Sequence, residues 1–182
     1  MSRSRSREMD LTTGSPFWSL LKFSIPVILG NLFQLFYTLA DSVIVGKTLG
    51  AESLAAVGST SIIIYFVFCF INGFTGGFGI CLGQRCGAKD EQGMRKSIAV
   101  STLLSIAFTV VLTLVCCLLS RQILVWMQIP DDIAEEANAY MFVVLLGTGA
   151  TVFYNMISNM LRALGDSKTP LYFLVFSSVL NI

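Results

Sequence analysis

A single acidic residue within an apolar stretch is the feature of this sequence that most directly indicates chemistry. Asp41 follows the charge-free stretch Phe23–Ala40 and is followed in turn by Ser-Val-Ile-Val. A charged side chain within a membrane helix costs about 2.5–3.5 kcal/mol on insertion scales, so such groups usually face protein or a water-filled cavity. We therefore interpret Asp41 as a functional acid. The alternative is a helix-end residue that the lipid headgroups solvate.

Further polar residues recur at helical spacing around Asp41 and in a later segment. At about 100° per residue, one helix face carries Asp41 together with Asn31, Gln34, Tyr37 and Thr38. A second face carries Thr148, Thr151, Asn155, Ser158, Asn159 and Arg162. Both faces fit the lining of a polar cavity, and we include Asn31, Thr38 and Thr151 in it. The alternative is interhelical hydrogen bonding, which contributes about 1 kcal/mol or less per group.

Small residues follow helical spacing in two other segments. Hydroxyl groups recur every four residues at Ser97, Ser101, Ser105, Thr109 and Thr113, and we interpret this stripe as a packing surface. Glycines spaced four apart let helix backbones approach closely. Such pairs occur among Gly73, Gly77, Gly79, Gly83 and Gly87. A phosphate-binding loop is the alternative for these glycines, but it would need a Lys-Ser/Thr pair that is missing here.

The composition excludes several classes of protein. Of the 182 residues, 54% are hydrophobic and 13% are charged, whereas soluble domains have about 25% charged residues. The sequence contains no histidine, which excludes Ser-His-Asp and Cys-His catalytic systems and the commonest zinc sites. A formal charge of +1 gives no support to a nucleic-acid partner. An enzyme is therefore the least favoured interpretation.

Charge-free stretches predict an all-α membrane protein. A membrane span needs about 20 mostly apolar residues, and the stretches here contain 18, 32, 24, 25 and, last, 14 residues. We predict four complete transmembrane helices and the beginning of a fifth, over about residues 17–45, 53–84, 97–120, 134–161 and 169–182. Residues 1–16 are predicted to form a basic cytoplasmic tail.

The distribution of basic residues predicts the orientation. Ten of the 12 Lys and Arg residues lie in the N-terminal segment and in the loops around residues 85–96 and 162–168. The loop between the third and fourth spans instead carries Asp131, Asp132, Glu135 and Glu136. Because cytoplasmic loops of membrane proteins are enriched in Lys and Arg, we predict a multi-pass plasma-membrane protein with its N-terminus in the cytoplasm.

Several separate motifs resemble the multidrug and toxic compound extrusion (MATE) transporters, and most closely their prokaryotic branch. They are residues 23–30 (FSIPVILG), 37–46 (YTLADSVIVG), 54–58 (LAAVG), 87–90 (GAKD) and 162–170 (RALGDSKTP). The resemblance implies a fold of twelve helices in two six-helix lobes, with a central cavity between the lobes. The residues present here would form five helices of the first lobe, so the resemblance identifies an N-terminal fragment.

The resemblance also implies an activity and a set of site residues. It implies an antiporter that exports organic, often cationic, compounds in exchange for Na⁺ or H⁺. Asp41 would bind the coupling ion, as a ligand if that ion is Na⁺, and Asn155 and Asn181 would be its polar partners. Gln34 and Tyr37 would line the same cavity. No other cofactor is expected, the partners are the substrate and membrane lipid, and transport would need the helices absent from this sequence.

Two alternatives to this interpretation stay open at this point. A lipid-linked oligosaccharide flippase has a related helical architecture, but its cavity would be lined by basic residues that bind pyrophosphate. No Lys or Arg lies within the charge-free stretches, which disfavours a flippase. The second alternative is a membrane fragment that does not transport and only packs against another helical chain.

Overall fold

The computed structural model describes residues 15–181, and most of the basic tail predicted over residues 1–16 lies outside this range. The described residues form six helices and no strand. They are α1 (Pro16–Thr48), α2 (Ala51–Gly87), α3 (Glu91–Trp126), α4 (Asp131–Leu146), α5 (Thr148–Ala163) and α6 (Lys168–Asn181). The predicted all-α fold class is therefore confirmed.

The first three helices are long and apolar enough to cross a membrane. They contain 33, 37 and 36 residues and extend beyond the predicted segments at both ends. At about 1.5 Å per residue each is some 50–55 Å long, whereas the hydrocarbon core is about 30 Å thick. Each of these helices is therefore longer than the hydrocarbon core requires. α1 continues through Pro26 as one helix.

The fourth predicted span differs from the expectation. The single helix expected over residues 134–161 is instead two helices, α4 and α5, bent by 42° where they meet. Gly147 ends α4, donating its N–H to the carbonyl of Val143. Glycine has a low helix propensity, and two glycines flank Thr148 at this point, which explains why the helix breaks here. Residues 137–161 contain no charge, so the search for charge-free stretches did not predict the break.

Three helices end in one type of turn. In α5, the N–H of Asp166 bonds the carbonyl of Leu161 at 2.9 Å and that of Gly165 bonds the carbonyl of Arg162 at 3.0 Å. Gly165 has a φ of +88°. This pattern is the Schellman motif, which satisfies the last carbonyl groups of a helix. The same turn ends α2 and α3, with Lys89 and Gln128 at φ values of 55° and 54°.

An aspartate follows two of these turns and begins the next helix. Asp90 accepts a hydrogen bond from the N–H of Gly93 at 2.8 Å and pairs with Arg85 at 3.0 Å. The Gly93 N–H, and secondarily the Arg85 guanidinium, hold the pKa of Asp90 below its ordinary value despite opposing desolvation. Asp166 likewise accepts hydrogen bonds from the N–H groups of Lys168 and Thr169. Both aspartates act as helix N-caps.

The described residues form two compact units. One contains the described residues up to Ala40, Gly76–Ser101 and the residues from Met156 onward. Its buried apolar cluster consists of Leu82, Met156 and Met160. The other unit contains Asp41–Thr75 and Thr102–Asn155. Its larger cluster consists of Ala56, Val67, Ile71, Leu124, Ile133, Ala137, Met141, Leu145 and Val152.

The predicted glycine packing occurs at two of the five positions. A Cβ atom on Gly79 would lie 3.1 Å from the carbonyl oxygen of Asn159 and 3.3 Å from its Cβ, so α2 and α5 approach closely there. A Cβ on Gly83 would contact Ala163 at 3.9 Å. The described structure shows no close approach at the other three glycines, where a Cβ would meet nothing within 4 Å: Gly73, Gly77 and Gly87.

Candidate functional site

The polar residues predicted on the first helix all lie on α1, which is little buried. Of the 18 consecutive residues of α1 that are most apolar, only 6% are buried by the described residues. Four of the predicted side chains are exposed and Tyr37 is half-buried. The exposed ones are Asn31, Gln34, Thr38 and Asp41. The part of the chain that the structure describes therefore leaves this polar face of α1 largely uncovered.

The hydrogen bonding along α1 sets the roles that its polar groups can take. The Thr38 hydroxyl donates to the backbone carbonyl of Gln34 at 3.0 Å. Its hydrogen is thus directed to a carbonyl group of its own helix, so toward any other group the hydroxyl oxygen acts as an acceptor. Such an oxygen beside a carboxylate one turn away suits a cation or a proton donor better than an anion.

On α5 the structure brings together two predicted site residues. Thr151 and Asn155 are both half-buried, and the Asn155 amide donates to the Thr151 carbonyl at 2.8 Å. This bond uses an N–H of the amide, so the Asn155 side-chain oxygen is the group left to accept from a ligand. Asp41 belongs to the same compact unit as these two residues. Asn181 ends α6, and its side chain lies outside the described part of the structure.

The donor set predicted for Na⁺ is one carboxylate with neutral oxygens. No group of three or more His, Cys, Asp or Glu residues suitable for a metal ion occurs among residues 15–181. Hard cations take carboxylate, amide, hydroxyl and carbonyl oxygens. The groups on α1 and α5 are of these kinds, so their chemistry fits a weakly held monovalent ion better than a transition metal.

Sequence reasoning named three hydroxyl residues of α3 and α5 but did not predict that their oxygens are buried without partners. The oxygens of Ser105, Thr109 and Thr148 are buried and have no hydrogen-bond partner within the described residues. Thr109 lies close to the break, since a Cβ on Gly149 would be 3.3 Å from its methyl carbon. The four-residue spacing on α3 was the available signal, and its interpretation as packing agrees with the burial of Ser105. The spacing alone could not show that these hydroxyl groups have no hydrogen-bond partner among the described residues.

Comparison with known proteins identifies the family. The MatE family model matches residues 26–182, most of the chain. The chain belongs to the MATE family. The predicted resemblance is thereby confirmed, and the family is one of integral membrane transporters rather than of enzymes.

The matched relatives and structures are considerably longer than this chain. It is 35% identical over 172 residues to "Probable multidrug resistance protein YpnP" of Bacillus subtilis (strain 168), covering 94% of this chain and 39% of that protein. A solved structure, "Crystal structure of MATE in complex with MaD3S", has 30% identity and a TM-score of 0.85 over 94% of this chain and 38% of its own.

A second solved structure is "Reverse polarity of binding pocket suggests different function of a MOP superfamily transporter from Pyrococcus furiosus Vc1 (DSM3638)". It has 29% identity and a TM-score of 0.89, covering 98% of this chain and 39% of its own. The chain thus spans about two fifths of the length of the proteins it matches. Its helices correspond to one part of a MATE transporter.

Proposed function

We propose that this chain forms the ion-coupling part of a MATE antiporter, which exports organic cations in exchange for Na⁺ or H⁺. The observation that supports this most directly is the exposed polar face of α1, which leads to Asp41 along an otherwise apolar span. An intramembrane acid on such a face is a functional group by default. Membership of the family, and relatives named for multidrug resistance, supply the transport context.

Coupling follows from the charge on Asp41. Binding of H⁺ removes that charge, and binding of Na⁺ pairs it with neutral oxygen ligands such as the Asn155 amide. Either event favours a different packing of α1, which changes the affinity for an organic cation. Because the coupling free energy is reciprocal, a cation that lowers the affinity for substrate is itself released by substrate.

The basic loops also indicate the location and the membrane orientation of the protein. We place the protein in the plasma membrane with its N-terminus in the cytoplasm, because the basic loops lie on one side of the predicted spans. The chain would need the remaining helices of a MATE transporter to alternate access, since rocking requires two lobes. Expressed alone in a host without its own MATE pumps, it should confer no drug resistance.

The deciding experiment replaces Asp41. The chain is joined to the remaining residues of the Bacillus subtilis relative YpnP and reconstituted in vesicles, where uptake of a fluorescent cationic dye is driven by a Na⁺ or H⁺ gradient. Asp41→Asn keeps the size and polarity of the side chain but removes its charge, so gradient-driven uptake should be lost. Gln34→Ala should weaken uptake less, because water or another oxygen replaces one amide.

The control variant is Asp132→Asn, which changes an exposed acid in the first turn of α4. It should transport as the unmodified protein does. Uptake by Asp41→Asn at the unmodified rate, at matched protein levels, would return Asp41 to the role of a solvated helix-end residue. A dependence on Na⁺ but not on pH, or the reverse, identifies the coupling ion.

The orientation has its own test, using single cysteines in a background free of Cys69, Cys81, Cys86, Cys116 and Cys117. An impermeant thiol reagent added to intact cells should label a cysteine placed at Asp132. It should not label one placed at Lys89. The opposite labelling pattern would contradict the proposed orientation and leave the family assignment intact.

A further inference from the structure

The helix α2 has three different faces along its length. One face is buried in the described structure and carries Ala56, Thr60, Ile64, Val67, Ile71 and Thr75. A second face is exposed and apolar, with Ile62, Phe66, Phe70 and Ile80. The third face, which we name the polar face of α2, is also open. At about 100° per residue its members lie within about 80° of one another: Gly58, Ser61, Tyr65, Cys69, Asn72 and Gly76.

Asn72 is the most polar group of this face and lies deep within the span. It belongs to the charge-free stretch Ser53–Gln84 and precedes Gln84 by 12 residues, which is about 18 Å along a helix. Its amide donates to the backbone carbonyl of Phe68 at 2.9 Å, so its side-chain oxygen is the group left to accept from outside the helix. A polar oxygen that faces hydrocarbon is unfavourable. The polar face of α2 therefore suits a partner or a water-filled space better than lipid.

Tyr65 distinguishes a tightly packed helix from an open space at this face. Glycines let another helix approach closely, and a Cβ on Gly58 or Gly76 would meet nothing within 4 Å in the described structure. Tyr65 lies between these two glycines and is 71% exposed. A tyrosine that projects from the middle of the face holds a near-parallel helix away from the backbone of α2. The face is therefore better suited to water and a molecule smaller than a helix.

The chemistry of this face favours a cation. The ring of a tyrosine attracts cations to its face, and the Asn72 oxygen is a hydrogen-bond acceptor. The two residues are seven apart on one side of the helix, which places them about 10 Å from each other along its axis. No Lys or Arg occurs between Lys47 and Arg85. The acid Asp41 belongs to the same compact unit as Tyr65 and Asn72, and its negative charge favours a positively charged ligand.

We propose that Tyr65 and Asn72 bind the organic cation that the transporter exports. The ring of Tyr65 contacts the charged group of the substrate, and the Asn72 oxygen accepts a hydrogen bond from the substrate or from its hydration water. Because it assigns residues to the exported compound, this proposal rests on the function proposed above. It concerns the substrate rather than the coupling ion, so the two are tested separately.

Two native cysteines of α2 test whether the polar face is in contact with water. Cys69 and Cys81 are both exposed in the described structure, but Cys69 belongs to the polar face and Cys81 lies on the apolar side of the helix. Cys69 is 16 residues from both Ser53 and Arg85, whereas Cys81 is four residues from Arg85. Depth in the membrane alone would thus favour reaction of Cys81.

The chain is joined to the remaining residues of YpnP and reconstituted in vesicles, with either cysteine as the single one of the whole protein. A small charged thiol reagent should modify Cys69 about tenfold faster than Cys81, because a thiol surrounded by hydrocarbon is unreactive. A saturating cationic dye should slow the modification of Cys69. Modification of Cys69 no faster than that of Cys81 would show that lipid or another helix covers the face, and would overturn the proposal.

Substitutions test the contact with substrate. Tyr65→Leu should raise the KM for uptake of a cationic dye about tenfold, equal to about 1.4 kcal/mol, with little change in kcat. Tyr65→Phe should restore most of the affinity, because it keeps the ring. Asn72→Leu should also raise the KM. The matched control is Phe66→Leu, which removes an aromatic ring from the adjacent apolar face and should leave the KM unchanged.

An uncharged dye of similar size separates substrate recognition from a structural effect. Tyr65→Leu should raise the KM for the cationic dye more than that for the uncharged dye. An equal rise for both dyes, or no rise for the cationic dye, would overturn the proposal.

Binding without a gradient separates this proposal from the coupling role of Asp41. Fluorescence anisotropy of the cationic dye gives its affinity for each variant at equilibrium. Tyr65→Leu should weaken this binding about tenfold. If Asp41→Asn transports at the unmodified rate, the coupling role of Asp41 fails, whereas weaker dye binding by Tyr65→Leu still supports the substrate contact. Unchanged dye binding by Tyr65→Leu overturns the substrate contact and leaves the coupling role intact.

Discussion

The close approach of α2 to α5 at Gly79 makes a quantitative prediction about stability. An alanine at this position would place its Cβ 3.1 Å from the backbone carbonyl oxygen of Asn159 and 3.3 Å from the Cβ of the same residue. Ordinary contact begins near 3.4 Å, so α5 would have to move by a few tenths of an ångström. The contacting oxygen belongs to the backbone of a helix, which cannot rotate away as a side chain can.

The magnitude follows from two opposing terms. Overpacking a close contact costs about 1–3 kcal/mol, whereas replacing glycine by alanine within a helix gains up to about 1 kcal/mol. Gly77 lies two residues away on α2 and meets nothing within 4 Å, so Gly77→Ala shows the gain alone. We therefore expect Gly79→Ala to be less stable than Gly77→Ala by about 1–3 kcal/mol.

The assay is thermal unfolding of the chain in detergent at a fixed scan rate, since unfolding of such proteins is often irreversible. For a chain of this size each kcal/mol shifts the Tm by about 2–4 °C. Gly79→Leu should shift it further than Gly79→Ala. If Gly79→Ala and Gly77→Ala unfold at the same temperature, the helices do not pack through Gly79 and the reasoning is refuted.

Two further predictions concern single polar groups. The lowered pKa of Asp90 stabilises the fold above its ordinary pKa of 3.8, and this contribution is lost as the pH falls through the folded value. Asp90→Asn should thus lower the Tm at pH 7 but not below its folded pKa; a constant difference would contradict this. Thr148→Val removes a buried hydroxyl without a described partner and should raise the Tm. Thr75→Val should lower it, because Thr75 donates to the Ile71 carbonyl at 2.8 Å. A fall for Thr148→Val as large as for Thr75→Val would mean that a bound molecule satisfies Thr148.

Features that depend on one helix were predictable from the sequence. The polar face of α1, from Asn31 to Asp41, follows from helical spacing because the helix is continuous. The charge-free stretches predict the long helices for the same reason, although the helices continue into their charged ends. The structure does not test the ion-binding roles of Asp41, Asn155 and Asn181, which stay predictions.

Features that depend on two helices were not predictable in the same way. A cavity where α3 ends and α4 begins is lined by Arg121 together with Asp131 and Glu135. In the sequence, each of these residues is an ordinary charge near the end of a helix. The contact at Gly79 depends on a partner residue of α5. The spacing of the glycines alone predicted the same close packing for Gly77. The break at Gly147 depends on local residues, but a hydropathy averaged over the whole charge-free stretch does not reveal it.

The break at Gly147 also has a consequence for how the chain is threaded through the bilayer. α4 and α5 contain 16 residues each, and a helix of that length is about 24 Å long, short of a hydrocarbon core of about 30 Å. Each piece alone is too short to cross, so the bent pair is either one broken span or a re-entrant loop. A re-entrant loop would leave Arg162 and Lys168 on the side of the acidic loop, whereas one crossing places them with Arg85 and Lys89. The side of the membrane on which the basic loop before α6 lies therefore depends on which of these two forms the bent pair takes.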